Sequence, residues 1–251
     1  MAIQSGIIRL EGKLDNIVFY TANGRYLARR KTSLNKERIA TDPAYQTARN
    51  NNTEFARASR AGKELRSSLL PLIHRRMDGT LVNRLNAALL KVLKSDIDAI
   101  PGQRNIRNGN MELLQEFRFN KKVRLHSILL VKPQLSVARA TGCFTVALHD
   151  FVADKMLAKL HGMTHCELVT AVVAMDFDQP ACIAEFARSS MISLTSTEPE
   201  DIVLISKLPP GNNLPLVLIM GINTYHPRDG VLCLSENALF TPLEIIDVDI
   251  R

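Results

Sequence analysis

The spacing of apolar residues changes character along the chain. In the first thirty residues the runs are short. "GIIRLEGKL" and "NIVFYT" are enriched in β-branched and aromatic side chains, and "ANGRYLARRK" sets an Asn23-Gly24 pair between extended segments. Asn-Gly accepts the two positive-φ positions of a tight hairpin turn, so the pattern predicts a β-meander with Tyr20 and Tyr26 near each other across that turn. Three short strands are marginally stable alone, and this element therefore needs something to pack on.

A polar connector, Thr32 to Thr41, leads to Asp42-Pro43. A carboxylate that accepts orphan backbone N–H groups, followed by a Pro with no N–H to lose, predicts a helix start. Phe55, Ala58, Gly62, Leu65 and Leu69 follow at steps of three and four, one inward stripe on which the small Ala58 and Gly62 let another backbone approach. Pro71 kinks or ends the helix. A second helix, Thr80 to Lys94, carries Leu81, Leu85, Ala88, Leu89 and Val92 on one face, and Asp78-Gly79 separates the two as a helical hairpin.

From Ala99 to Asn110, "AIPGQRNIRNGN" is rich in Pro, Gly, Asn and Gln and predicts a linker. Beyond it come seven strand-like runs: "VRLHSILLV", "CFTVALHDF", "CELVTAVVAMDF", "DIVLISKL", "LPLVLIMGINTY", "GVLCL" and "LEIIDVDI". "ADKMLAKLHGM" interrupts them as a short helix or loop. Short strands without intervening helices predict an antiparallel sandwich. The expected class is α+β: residues 1–110 form a basic β-meander plus helical hairpin, and residues 111–251 an acidic, β-rich, sandwich-like domain.

Composition narrows this picture. With 251 residues, 46% of them hydrophobic, the chain can bury a sizeable core. Its longest apolar candidate, "LPLVLIMGI" from Leu214 to Ile222, is far short of the roughly 18 residues a membrane helix needs. The N-terminus lacks the cationic start, apolar segment and small-residue cleavage site of a secretory signal, so a cytoplasmic protein with no membrane partner is expected. Cys143, Cys166, Cys182 and Cys233 are scattered without a CxxC pair and are expected as reduced, buried thiols.

The net charge of +7 hides a division. Met1 to Lys122 holds 23 Lys or Arg against 11 Asp or Glu, whereas Val123 to Arg251 holds 9 against 14. Such asymmetry suits a nucleic-acid-binding arm on an acidic body, or two surfaces that attract each other within or between copies.

Catalytic chemistry finds little footing. "RASRAGKE" has the Gly-Lys of a phosphate loop, but Arg57 stands for the first Gly, Glu64 for the Ser or Thr, and the stretch lies within a helix. His161, His165 and Cys166 form the best metal-like cluster, with His149 as the nearest further offer, yet the ligand set is incomplete for zinc. No GxSxG elbow is present. Asp176 and Asp178 of "MDFD" are more simply an exposed strand end. No enzyme activity, cofactor, metal or small-molecule substrate is expected.

The basic helix has three uses. Its arginines, with "RRK" at Arg29 to Lys31 and "HRR" at His74 to Arg76, could neutralise phosphates; against that, no nucleic-acid-binding signature is present and aromatic stacking residues are sparse. It could be a solvated face covering the sandwich. It could also meet acidic surface on another copy, giving rings or filaments by head-to-tail contacts, with early strands adding to a neighbour's sheet edge.

"GKLDNIVFYTANGRYLARRK" and "ATDPAYQTARNNNTEFARASRAGKELR", through Gly12, Asn16, Tyr20, Gly24, Arg29, Lys31, Thr41, Arg49, Phe55 and Ala61-Gly62-Lys63, resemble the opening of a family of uncharacterised cytoplasmic proteins of Bacteroidota. "LVLIMGINTYHPRDGVLCLSENALFTPLEIIDVD" is similar to that family's β-rich C-terminus. The resemblance implies no activity and no catalytic residues. The chain also resembles the fibril- or tubule-forming cytoplasmic proteins of gliding members of that phylum, which favours self-assembly. The expectation is a structural homo-oligomer, a filament or tubule, with Arg29, Arg30, Arg57, Arg60, Lys63 and Arg66 at the assembly interface. The alternative is a nucleic-acid-associated accessory protein that uses the basic helix.

Overall fold

The structure, a computed structural model, describes residues 2–30, 36–74, 76, 78–177 and 181–249. Two compact units divide between Arg49 and Asn50.

The N-terminal unit is built on β1 (Ala2–Ile3), β2 (Gly12–Leu14), β3 (Ile17–Ala22) and β4 (Arg25–Arg30), an antiparallel sheet in the order β1-β4-β3-β2. Asn23 and Gly24 have φ of 51° and 70°, the conformation a two-residue hairpin needs. Much of the expected first strand is not strand: the Gln4 side chain instead holds the intervening loop, accepting from Leu10 N at 2.8 Å and donating to Leu10 O at 3.1 Å. Tyr20 pairs with Leu27 and Tyr26 with Thr21, so the two tyrosines lie on opposite faces of the sheet. Each ring is covered by its own arginine, Arg29 over Tyr20 at 5.5 Å and Arg9 over Tyr26 at 4.7 Å.

Part of the expected connector is helical, α1 (Lys36–Thr41); residues 32–35 lie outside those described. Asp42 caps the following turn as expected, its side chain accepting from Ala44 N at 2.9 Å ahead of Pro43. Those bonds and the Arg38 guanidinium hold the Asp42 carboxyl below its usual range. No described residue of this unit is buried.

The second unit contains most of α2 (Gln46–Ser68), then α3 (Leu70–Ile73) and α4 (Leu81–Lys94). Ala58, Gly62, Leu65 and Leu69 face inward as expected. Phe55 does not: it is 52% exposed, and its neighbour Glu54 takes the inward place. At Gly62 an added Cβ would lie 2.6 Å from Asn86 Oδ1 and 3.2 Å from Leu89 Cδ1, which is why the small residue lets α4 approach. Leu81, Leu85, Leu89 and Val92 are fully buried, each a side chain whose burial is worth about 1.5–3 kcal/mol.

Residues 99–110 are no linker but part of the packed unit. Glu54 Oε1 accepts from Gly102 N at 2.8 Å, Asp96 Oδ2 from Asn105 N at 2.9 Å, and Ser95 Oγ from Asn110 N at 2.7 Å. The helices also share one apolar cluster with the C-terminal strands. The division of the chain therefore falls at residue 49 rather than at 110, because helices and sheet fill the same core.

The strands of this unit are β5 (Gln134–Ala138), β6 (Cys143–Phe151), β7 (His165–Asp176), β8 (Ala181–Arg188), β9 (Ile192–Ser193), β10 (Glu200–Lys207), β11 (Leu216–Arg228), β12 (Val231–Leu234) and β13 (Leu243–Asp249); α5 (Ala153–Met156) follows β6. One sheet runs β12-β11-β7-β8, with β13 also on β11 and β9 on β7; a second runs β10-β6-β5. All pairings are antiparallel.

The long apolar runs of β7 and β11 follow from burial on both faces. Val169, Ala171, Val173, Val217 and Ile219 pack with the helices, while Leu168, Met220 and Ile222 pack with Val146, Leu148, Ile202 and Leu204 of the smaller sheet. The class is α+β with a C-terminal β-sandwich-like part whose antiparallel sheets curl as a half-barrel. Six of the seven expected strands are present. "VRLHSILLV" is instead a 3-10 turn at Leu125–Ser127 and loop, held by Leu125, Ile128 and Leu129 in the second core.

Candidate functional site

The six basic residues expected at an interface fall into different settings. Arg29 and Arg30 are exposed on β4 of the N-terminal unit; Lys31 beside them, like Arg75 and Asp178, lies outside the described residues. Arg57 is engaged within its own unit, donating from Nη1 to Gly102 O and to Arg104 O, both at 2.8 Å. Arg66 is half-buried with a buried Nη1 that has no hydrogen-bond partner among the described residues, and burial lowers its pKa. Arg60 and Lys63 are exposed. Arg57, Arg60 and Glu64 line a cavity of about 250 Å³ whose other wall includes Met175, Asp176 and Cys182. The basic helix and an acidic strand end thus meet inside one copy.

The metal-like cluster does not assemble. His165 and Cys166 are successive strand residues and point to opposite faces; Cys166 is buried, and His161 is exposed. Among the described residues no group of three His, Cys, Asp or Glu could hold a metal ion. The four cysteines are free, but only Cys166 is fully buried. Burial pushes the Cys166 and Cys182 thiols up to about 12, with nearby carboxylates adding to the shift.

One surface of the N-terminal sheet is unlike an ordinary solvated face. Ala2, Ala28 and Phe19 stand in cross-strand register, and so do Leu14, Ile17 and Arg30. They form one face, on which Leu14 is 65% exposed, and Ile3 on the other face is also 65% exposed. A shallow depression on the first face is lined by Leu14, Ile17, Ala28 and Arg30.

The second unit holds a polar network that no sequence motif announced. Asn223 of β11 sits opposite Glu167 of β7 in the strand register, and its Nδ2 donates to Glu167 Oε2 at 2.7 Å. Tyr225 OH also donates to that oxygen at 3.3 Å, and Arg188 Nη1 lies 3.3 Å from it. Burial and the Glu167 carboxylate raise the Tyr225 pKa. On its other side Asn223 Oδ1 accepts from Arg76 Nη2 at 2.5 Å. The visible signals in sequence were polar residues inside apolar runs, Glu167 in "CELVTAVV" and Asn223 in "LVLIMGINTY"; the arginines carry no such mark.

A groove of about 400 Å³ lies elsewhere, lined largely by apolar residues including Leu125, Leu129, Leu135 and Ile245. Its buried carboxylate, Glu244, is committed to structure, accepting from Leu125 N at 2.8 Å. Among the described residues no helix is long and apolar enough to cross a membrane. No protein-family model, curated protein or solved structure matches the chain.

Proposed function

We propose that the chain is a cytoplasmic structural subunit that assembles with copies of itself into a filament or tubule, the N-terminal sheet of one copy meeting the acidic C-terminal half of the next. The observation that carries this is the state of the N-terminal unit: a four-stranded sheet exposing Ile3, Leu14 and Ile17, with no described residue buried. A sheet of this size gains independent stability by covering an apolar face, so it calls for a partner surface.

Charge selects a second copy as that partner. Residues Met1 to Arg49 hold 9 Lys or Arg against 4 Asp or Glu. On the second unit Asp150, Asp154, Glu198, Glu200 and Asp201 are exposed near paired ends of β6 and β10, with Lys155 beside them in sequence and His149 Nδ1 3.4 Å from Asp201. Opposite charges on different parts of one chain favour a heterologous contact, which repeats until it closes or extends. The nucleic-acid alternative has less to draw on, since Arg57 is spent on backbone carbonyls.

Static light scattering of the full-length protein tests the reading. The wild type is expected as large particles, and Leu14→Lys with Ile17→Lys as particles of one or two chains with an unchanged thermal transition for the second unit. Equal particle size for both proteins counts against it.

A further inference from the structure

We propose that the pocket between the end of α3, β8 and β11 binds a small oxyanion of the phosphate type. The pocket has a volume of about 120 Å³, room for more than a single water. Arg76, Arg188, His74, Asn223, Ser235 and Thr241 supply its polar wall.

Arg76 makes the case. It is only 8% exposed, yet among the described residues no carboxylate lies within ion-pair distance of it. Its partners are neutral acceptors: Leu72 O and Asn223 Oδ1 at 2.5 Å, and Ile222 O at 3.1 Å. Its Nε is buried and has no hydrogen-bond partner among the described residues. A guanidinium withdrawn from water without a counter-charge is expensive, and an anion is the missing term.

Glu167 does not fill that role. Asn223 stands between the two charges, and Glu167 Oε2 is already shared by Asn223, Tyr225 and Arg188. The site therefore carries two guanidiniums against one engaged carboxylate. Burial and the Arg188 charge lower the Arg76 pKa to about 10, against the opposing influence of Tyr225 and Glu167.

The Ser235 hydroxyl completes the cradle, while Thr241 Oγ1 donates to Asn237 O at 3.4 Å. Ser235 and Thr241 are both nine-tenths buried. Ser235 Oγ accepts from Asn237 N at 3.2 Å, which leaves its O–H to donate. Two guanidiniums, one free N–H and a hydroxyl donor around a small volume match an oxyanion better than a neutral ligand.

Thermal unfolding of the full-length protein in sodium phosphate, acetate and chloride at matched ionic strength tests this. Phosphate also stabilises proteins non-specifically through exclusion from their surface, so saturation and a variant are the discriminants. Because Arg76 is buried and its replacement perturbs folding, the variant is Arg188→Gln, whose side chain is 49% exposed. The expected result is a Tm rise that saturates with phosphate, with a midpoint at least about tenfold higher in Arg188→Gln. A rise that never saturates, or is identical in both proteins, overturns the site. Acetate saturating at the phosphate midpoint overturns the assignment to the phosphate class.

Discussion

Glu54 on α2 accepts a hydrogen bond from Gly102 N at 2.8 Å, across 48 residues of chain. The carboxylate is 1% exposed, and Arg104 Nη1 stands 3.8 Å away. Gly102 has a φ of +92°, and an added Cβ would meet Asn50 Oδ1 at 2.7 Å, so the loop is shaped to fit this place. Glu54→Ala leaves a buried N–H unsatisfied and is expected to cost about 1–3 kcal/mol; Glu54→Gln, which keeps an acceptor, costs less. Urea unfolding followed by circular dichroism measures both. Equal losses would show that the acceptor is not what Glu54 contributes.

Gly109 closes the same segment onto α4. A Cβ there would lie 2.0 Å from Val92 O, a backbone atom that cannot swing aside. Gly109→Ala is expected to lower stability by about 1–3 kcal/mol through overpacking. A neutral outcome in the same urea titration would mean that the loop shifts without penalty.

Cys166 gives a pH dependence with a definite sign. Its thiol ionises near 12 in the folded protein against an ordinary value of 9.0, so the native state keeps the proton longer. The stability from keeping it neutral is fully present below about pH 9 and is lost as pH rises toward 12. Cys166→Ala should flatten that alkaline decline in a Tm-against-pH series. Iodoacetamide at pH 8 should leave Cys166 unmodified in the native protein and react with it after unfolding, read by peptide mass spectrometry.

The basic residues separate by role. Arg57→Ala removes donors to Gly102 O and Arg104 O and should cost about 0.5–1.5 kcal/mol per hydrogen bond, seen in the urea midpoint. Arg29→Glu with Arg30→Glu should leave the second unit's midpoint unchanged and reduce particle size at low salt. Loss of stability in the β4 pair without loss of particle size would reverse these roles.

What sequence made legible depended on how local the determining physics was. β6, β7 and β11 follow from uninterrupted apolar runs, and Asn23-Gly24 and Asp42-Pro43 from turn and cap chemistry. β8, "ACIAEFAR", is written in helix-favouring residues and becomes a strand because β7 offers it a partner at every position from Asp176 back to Val169. "VRLHSILLV" misled in the opposite way: Leu125, Ile128 and Leu129 are buried at steps of three and one, a turn's spacing rather than a strand's alternation. The boundary near residue 110 was misplaced because polar composition also describes a loop whose groups bond to neighbouring helices. The Arg76 pocket was hidden because residues 76, 167, 188 and 223 meet only once β7, β8 and β11 pair.

Negative-stain electron microscopy of the full-length protein at about 50 and 500 mM salt, which bracket weak and strong screening, tests the central claim most directly. Filaments, tubes or rings at low salt that shorten or vanish at high salt are the predicted result. Uniform small particles at both salts would contradict self-assembly through the N-terminal sheet.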